Sequence, residues 1–338
     1  MVSGSAEISV KKCLFWATFL SIFGLVFVLY ITRSLQSLYI AIALAVLEIS
    51  LSFDNAVINA RVLETMSPIW QRRFIIWGLP IAVFGMRLIF PIILVYLTSN
   101  MPLWAVIYLA WKAPGAYHSL LEQGYPYISA FGGAFLLMVF SHFLLDKHRK
   151  VVWLKRIEEN KWIKRISRFE YSYIICVLLV GLYIFYWMPK LGVAIAYLIG
   201  MGLYLILHLF MSKANVVSNA KTLVKHGLLG FLYLELLDAS FSLDGVLGAF
   251  AMTTDVLVIM VGLGIGALYV RSFTIVLLAK RTLQSYIYLE HGAYYAIGFL
   301  GIVLLTKNFY HISEFVTASV GLVLIIVAFS SSWRVRER

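Results

Sequence analysis

The run Leu47-Glu48-Ile49-Ser50-Leu51-Ser52-Phe53-Asp54-Asn55 sits in an otherwise apolar stretch. It returns 190 residues later as Leu237-Asp238-Ala239-Ser240-Phe241-Ser242-Leu243-Asp244-Gly245. Acid, serine, serine and aspartate keep their spacing in both copies. Each copy is followed by an apolar stretch in which a glycine precedes an arginine by nine positions: Gly78 and Arg87, then Gly262 and Arg271. An ionised carboxylate at the centre of a membrane helix costs about 2.5–3.5 kcal/mol on the insertion scale, so these acids need compensation. Glu48, Asp54, Asp238 and Asp244 set against Arg87 and Arg271 leave two negative charges, which one divalent cation or two protons would balance. Carboxylates, serine hydroxyls and the Asn55 amide are oxygen ligands. With no cysteine nearby, they favour Mn²⁺, Ca²⁺ or Mg²⁺ over Zn²⁺ or Cu⁺. The expected ion ligands are therefore Glu48, Asp54, Asn55, Asp238 and Asp244, with Ser50, Ser52, Ser240 and Ser242 supporting the path. Arg87 and Arg271 serve either as structural partners of the motif acids or as a gate. Glu235, three residues before Asp238, is either a proton acceptor coupled to transport or an interfacial acid.

Residues six apart lie about 240° around a regular helix and do not share a face. Glu48, Ser52 and Asn55 form one stripe, and Ser50 and Asp54 form another. Both acids reach one ion only if the motif helix is locally unwound or wedged between several neighbours. The spacing, together with Gly245 in the second copy, predicts a discontinuous motif helix.

The elements that carry these residues are membrane helices. Of 338 residues, 62% are hydrophobic and only 13% charged, and the mean hydropathy is +0.90, far from the balance of a soluble domain. Spans are expected near 13–32, 36–57, 74–98, 126–145, 171–188, 191–211, 228–252, 255–279, 287–306 and 312–332, an all-α polytopic architecture of about ten helices. No ten-residue alternation points to an outer-membrane barrel, and no length remains for a sizeable soluble domain. The two cysteines, Cys13 and Cys176, are far apart, so neither a disulfide framework nor a cysteine metal site is readable. Of the 28 Lys and Arg, 22 lie outside the spans on one side and 4 on the other, which places both termini in the cytoplasm. The net charge of +12 thus reports topology rather than nucleic-acid binding. Lys11 and Lys12 before the first span, with no small-residue cleavage site after it, read as an anchor.

The two motif copies begin five spans apart, an odd number, so they cross the bilayer in opposite directions. Inverted repeats of three-helix units are a recurrent plan of secondary transporters, with substrate held near the midplane. The expected organisation is an extra N-terminal helix (1–35), a first repeat (36–145), a basic cytoplasmic loop (146–170), a connecting helix pair (171–226), a second, inverted repeat (227–307) and a C-terminal helix with a basic tail (308–338). In the basic loop nine Lys/Arg meet four acids with Trp153 and Trp162 interleaved, which reads as an amphipathic helix on the inner leaflet. Met101–Tyr125, broken by Pro102, Pro114 and Gly115, reads as a re-entrant segment or an outer lid.

At these residues the chain resembles the TerC integral membrane family, in its longer branch. The paired Glu/Asp-x-Ser-x-Ser-x-Asp-Asn/Gly motifs carry the resemblance, with Trp77-Gly78 through Gly85-Met86-Arg87 and Tyr288-Leu289-Glu290-His291-Gly292-Ala293. It covers roughly Tyr39–Leu145 and Leu228–Lys307. The resemblance implies export of a metal ion, chiefly manganese, supply of metal to exported proteins, an association with tellurite resistance, and kinship with small exporters of the LysE type. Carried across, Glu48, Asp54, Asn55, Asp238 and Asp244 would line the ion path. Asp238 and Gly245 replace Glu48 and Asn55 in the second copy, so the site is asymmetric.

Other features read as structure. His142, His148, His226 and His311 fall near span ends without metal-ligand spacing, and only His291, beside Glu290, stands out. Gly262-x-Gly264-x-Gly266 inside a span points to close helix packing rather than nucleotide binding. Two other classes compete with transport: a scaffold whose metal site is structural, and an aspartyl protease using Asp54 and Asp244 as a dyad, although no Gly-x-Gly-Asp precedes either. The expectation is a transporter of a divalent cation, with the lipid bilayer and the ion as its partners and no enzymatic activity.

Overall fold

A computed structural model of the chain describes residues 3–147, 149, 151–214, 220–280, 285–310 and 312–336. Side chains are described at these positions except 3–14, 79, 210–214, 220–226, 241–244, 251, 314–315 and 336. The fold is 87% helix, with no strand among the described residues. Seven helices are long and apolar enough to cross a membrane, and an eighth crossing is made if one bent pair counts as a single span. The chain is a multi-pass helical membrane protein. Of the ten expected spans, two fall outside that set. The helix at 172–187 has only 16 residues, and the one carrying the second motif holds Glu235, Asp238 and Asp244.

The described chain falls into two compact units, 1–125 with 230–282, and 126–229 with 283–338. The first unit holds α1 (Ser3–Thr32), α2 (Leu35–Leu51), α3 (Phe53–Thr65), α4 (Pro68–Pro80), a π segment (Ile81–Ile89), α5 (Phe90–Ser99) and α6 (Leu103–Lys112). It also takes the beginning of α7 (Pro114–Leu145), most of α12 (Ala220–Met252) and all of α13 (Val256–Ala279). Local chemistry sets the boundaries. Ser34 caps α2 by accepting from the Ser37 N–H, Pro68 opens α4, Asn100 ends α5 in the left-handed conformation, and Asp255 accepts from Leu257 and Val258 at the start of α13.

The π segment follows Pro80, which lacks an N–H and crowds the carbonyl four residues back. The chain stays helical by widening: the Phe90 N–H reaches the Gly85 carbonyl five residues back.

Helix α13 is the centre of the first unit. Apolar clusters pack it against α1 and α2 (Val28, Ala41, Val258) and join α3, α4 and α12 (Leu63, Trp70, Phe74, Leu234). The glycine stripe read from the sequence acts as a packing surface. A Cβ on Gly262 would come within 2.8 Å of the Ala41 carbonyl oxygen, and one on Gly266 within 2.6 Å of the Glu48 Cγ. Residues four apart without side chains let α13 approach α2 backbone to backbone.

The second unit holds the rest of α7, the short helices α8 (Lys155–Glu158) and α9 (Lys161–Ile166), α10 (Ser172–Trp187), α11 (Leu191–Ala214), α14 (Leu289–Thr306) and α15 (Glu314–Arg336). Two expectations change here and at Met101–Tyr125. The basic stretch is not one amphipathic helix: it folds around Glu158, whose side chain is fully buried. That carboxylate accepts from the Trp153 and Leu154 N–H groups and the Tyr295 hydroxyl, and pairs with Arg149 at 3.1 Å. His291 joins the same knot through its Nε2 contact with the Val151 carbonyl, a structural role. Met101–Tyr125 holds α6 and the opening of α7, a helix of 32 residues with Pro126 inside it. His142 touches the Tyr204 hydroxyl at 2.5 Å, while His148, His226 and His311 lie outside the described side chains.

Large apolar side chains of α1, α10 and α11 such as Phe23, Tyr186 and Leu191 are exposed. Surface of that kind needs a lipid environment.

Candidate cation site in the first unit

The two motifs adopt different backbones. In the first, the helix breaks at Ser52 and α2 and α3 meet at 51°. Ser52 holds a non-helical φ of −109° and ψ of 13°, and its hydroxyl donates to Glu48 Oε1 at 2.8 Å. The second motif lies in the unbroken α12, so the predicted discontinuity occurs in one copy only. Ser50 and Ser240, equivalent positions, each donate to the carbonyl four residues back, at Val46 and Leu236. This bond is available on any helix and places no strain on α12. Ser52 instead sends its hydroxyl to a carboxylate.

Glu48 is 2% exposed. Its Oε1 also accepts from Arg87 Nη2, while Arg87 Nη1 donates to the Ala82 carbonyl inside the π segment. The widened turn thus aims the guanidinium at the first motif and satisfies its other arm. Arg271, on α13, pairs with Glu235 at 3.7 Å. Its guanidinium lies 3.7 Å from the centre of the Phe74 ring and against Gly78, where a Cβ would meet it at 2.5 Å. Glu235 is 6% exposed and sits well inside α12, so it is a buried acid and not an interfacial one.

The motifs touch each other. Asn55, fully buried, donates from Nδ2 to Asp238 Oδ1 at 2.8 Å. At the end of the second motif, a Cβ on Gly245 would come 2.9 Å from Glu48 Oε2. The last position of each motif therefore meets the first acid of the other. The missing amide of the second copy has a steric reason: an asparagine at 245 would strike the Glu48 carboxylate.

A small polar cavity opens at this contact. Glu48, Asn59, Arg87, Asp238, Arg271 and Thr274 line it together with Ala82, Ala267 and Val270. Its free volume, about 10 Å³, is on the order of what one water requires. Two buried oxygens of its lining residues, Asn59 Oδ1 and Asp238 Oδ2, have no hydrogen-bond partner among the described residues, and neither does Oδ1 of Asn55, which does not line the cavity. Buried acceptors normally find donors or ions. Carboxylate and amide oxygens are the ligand type a hard cation takes, and here they share the wall with the guanidinium groups of Arg87 and Arg271.

Charge accounting sharpens the fit. Arg87 answers Glu48 and Arg271 answers Glu235, which leaves Asp238 and Asp54 without an ion pair among the described residues. Asp54 is buried in the first turn of α3, where its Oδ1 accepts from the Asn55 N–H, and it is not on the cavity wall. The side chains of Asp244 and Ser242 lie outside those described. Among the described residues, no three His, Cys, Asp or Glu side chains gather closely enough to hold a metal ion. The ligand set on the wall is two carboxylates completed by amide and hydroxyl oxygens.

Two of these residues escaped the motif. Asn59 follows Asn55 by one turn and extends the stripe Glu48, Ser52, Asn55, and Thr274 lies three residues after Arg271. The spacing to Asn55 was the available signal for Asn59.

Because Gly266 makes room for Glu48, Gly266→Val should lower stability by about 1–3 kcal/mol through overpacking. Gly264→Ala, whose Cβ meets only Val83 Cγ1 at 3.2 Å, should cost much less. Thermal unfolding midpoints in detergent measure both, and equal midpoints would contradict this packing.

A family model described as "Protein of unknown function (DUF475)" matches residues 53–338. The match takes in Asp54, Asn55 and the whole second motif, and begins after Glu48. No curated protein and no solved structure matches the chain.

Proposed function

The chain belongs to the DUF475 family, and on that premise we propose that it carries a divalent cation, Mn²⁺ first among candidates, across a bacterial inner membrane. The observation that carries this reading is the buried cavity where Asp238 and Glu48, from the two motifs, meet with the Asn59 oxygen. Oxygen ligands suit Mn²⁺, Ca²⁺ and Mg²⁺, and the resemblance to the TerC family favours manganese and the direction of export.

The reciprocal meeting of the motifs supports an inverted repeat. When two equivalent segments are related by a twofold axis, position i of one meets position j of the other, and j meets i. Asn55 on Asp238 and Gly245 on Glu48 follow that rule. The skewed distribution of Lys and Arg supports cytoplasmic termini.

In this mechanism Asp238 Oδ2 receives the ion, the Asn59 amide oxygen replaces part of its water shell, and Asn55 holds Asp238 by donating to its other oxygen. Glu48 completes the charge from the first motif. Exchange against protons follows naturally, since the same carboxylates take either cation.

Proteoliposomes containing the purified chain and a Mn²⁺-quenched internal dye test the reading. Saturable quenching that depends on the protein is expected. Mn²⁺-dependent stabilisation with no movement of ions would instead indicate a scaffold with a structural site, and neither effect would reject the cation altogether.

A further inference from the structure

Glu48 borders the cavity, yet its Oε1 is already engaged by Arg87. Arg87 is 4% exposed and lines the same cavity. A divalent ion drawn into this space would face a guanidinium in contact with the carboxylate it needs. Two cations at such range in a dry interior repel strongly, and Glu48 cannot neutralise both. Asp238 is in no ion pair among the described residues, its described contact being the Asn55 amide, and the other guanidinium on the wall, that of Arg271, pairs with Glu235.

We propose that Arg87 is a built-in counter-cation: it neutralises Glu48 when no substrate is bound, and the entering ion displaces it from that carboxylate. This inference rests on the reading that the cavity takes a divalent cation. The ion meets Asp238 and Asn59 first and gains Glu48 only as Arg87 withdraws, so binding and the release of one internal ion pair are a single event. Departure of the ion returns Arg87 to Glu48 and keeps the buried acid from being left bare, which is the costly state for any carboxylate in a membrane.

The two arginines are not equivalent in this scheme. Arg271 is fixed by the Phe74 ring and by Glu235, an acid that does not line the cavity. Arg87 instead sits on the π segment, the one described helix in the unit with non-α winding, and donates its other arm to a carbonyl of that segment. Rewinding a π turn into α moves every later side chain around the helix axis, and π insertions concentrate at functional sites for that reason. The segment supplies the means by which Arg87 leaves Glu48.

The test is Mn²⁺ binding to the purified full chain in detergent, read by electron paramagnetic resonance as loss of the free-ion signal. Wild type, Arg87→Gln and Arg87→Lys are compared. Arg87→Gln is expected to bind Mn²⁺ at least about tenfold more tightly, because the ion no longer competes with a guanidinium. Arg87→Lys keeps the charge but not the two-armed contact and should fall between them. It decides the matter alone if the glutamine variant does not fold. Binding by wild type with equal or weaker affinity in the folded variants overturns the exchange while leaving the site intact. No binding by any of the three overturns both the site and the exchange.

Discussion

Asp238→Asn should reduce protein-dependent Mn²⁺ flux into liposomes by about 100-fold. The substitution keeps size and the hydrogen bond from Asn55 but removes the charge that no described arginine answers. Loss of an ionic ligand from a desolvated site costs about 3 kcal/mol, which is on the order of two decades in affinity. The protein itself should fold as well as wild type, since relieving an uncompensated buried charge does not harm stability. Flux at the wild-type level with Asp238→Asn would remove Asp238 from the ion path. Asn59→Ala should give a smaller loss, about tenfold, because it deletes a neutral oxygen ligand.

Glu48→Ala should be the most destabilising single change in the first unit, by about 3–5 kcal/mol. It strands Arg87 in a place where the guanidinium is 4% exposed and strips Ser52 of its hydroxyl's acceptor. Breaking one side of a buried ion pair costs that much because the remaining charge is left without a partner. Replacing both members, with Glu48→Gln and Arg87→Met together, should recover most of the loss, since a matched apolar and neutral pair needs no compensation. The double variant should still fail to transport. Unfolding in detergent measures the stabilities, and a Glu48→Ala protein as stable as wild type would contradict the ion pair.

Much of this was legible in the sequence because charge inside an apolar run is a strong signal. Eight of the ten predicted spans match helices long and apolar enough to cross a membrane, counting the bent pair as one, and the first motif helix breaks at Ser52, between Glu48 and Asp54, although Asp54 is not on the cavity wall. The same spacing did not break α12, because spacing reports which faces residues occupy and not whether neighbours wedge between them. The sequence left Arg271 as either a partner of the motif acids or a gate, and its described ion pair is with Glu235. That choice depends on how closely α13 approaches α12 and on the ring of Phe74, neither of which periodicity records.

The predicted span 74–98 runs through Pro80, where the chain continues as a π segment, and the span begun at 126 is part of a longer helix that continues through Pro126. The fold of the basic loop around Glu158 was likewise hidden, since one of four acids among nine cationic residues reads as surface until Tyr295 and Arg149 are seen beside it.

The central claim is that Asp238 and Glu48 share one divalent ion in the cavity between the motifs. Anomalous diffraction from crystals grown with Mn²⁺, collected at the manganese edge, addresses it directly. A single peak within coordination distance of Asp238 Oδ2 and the Asn59 amide oxygen, with Arg87 withdrawn from Glu48, is the predicted result. Manganese bound only elsewhere on the protein, or none in this cavity at saturating concentration, would contradict it.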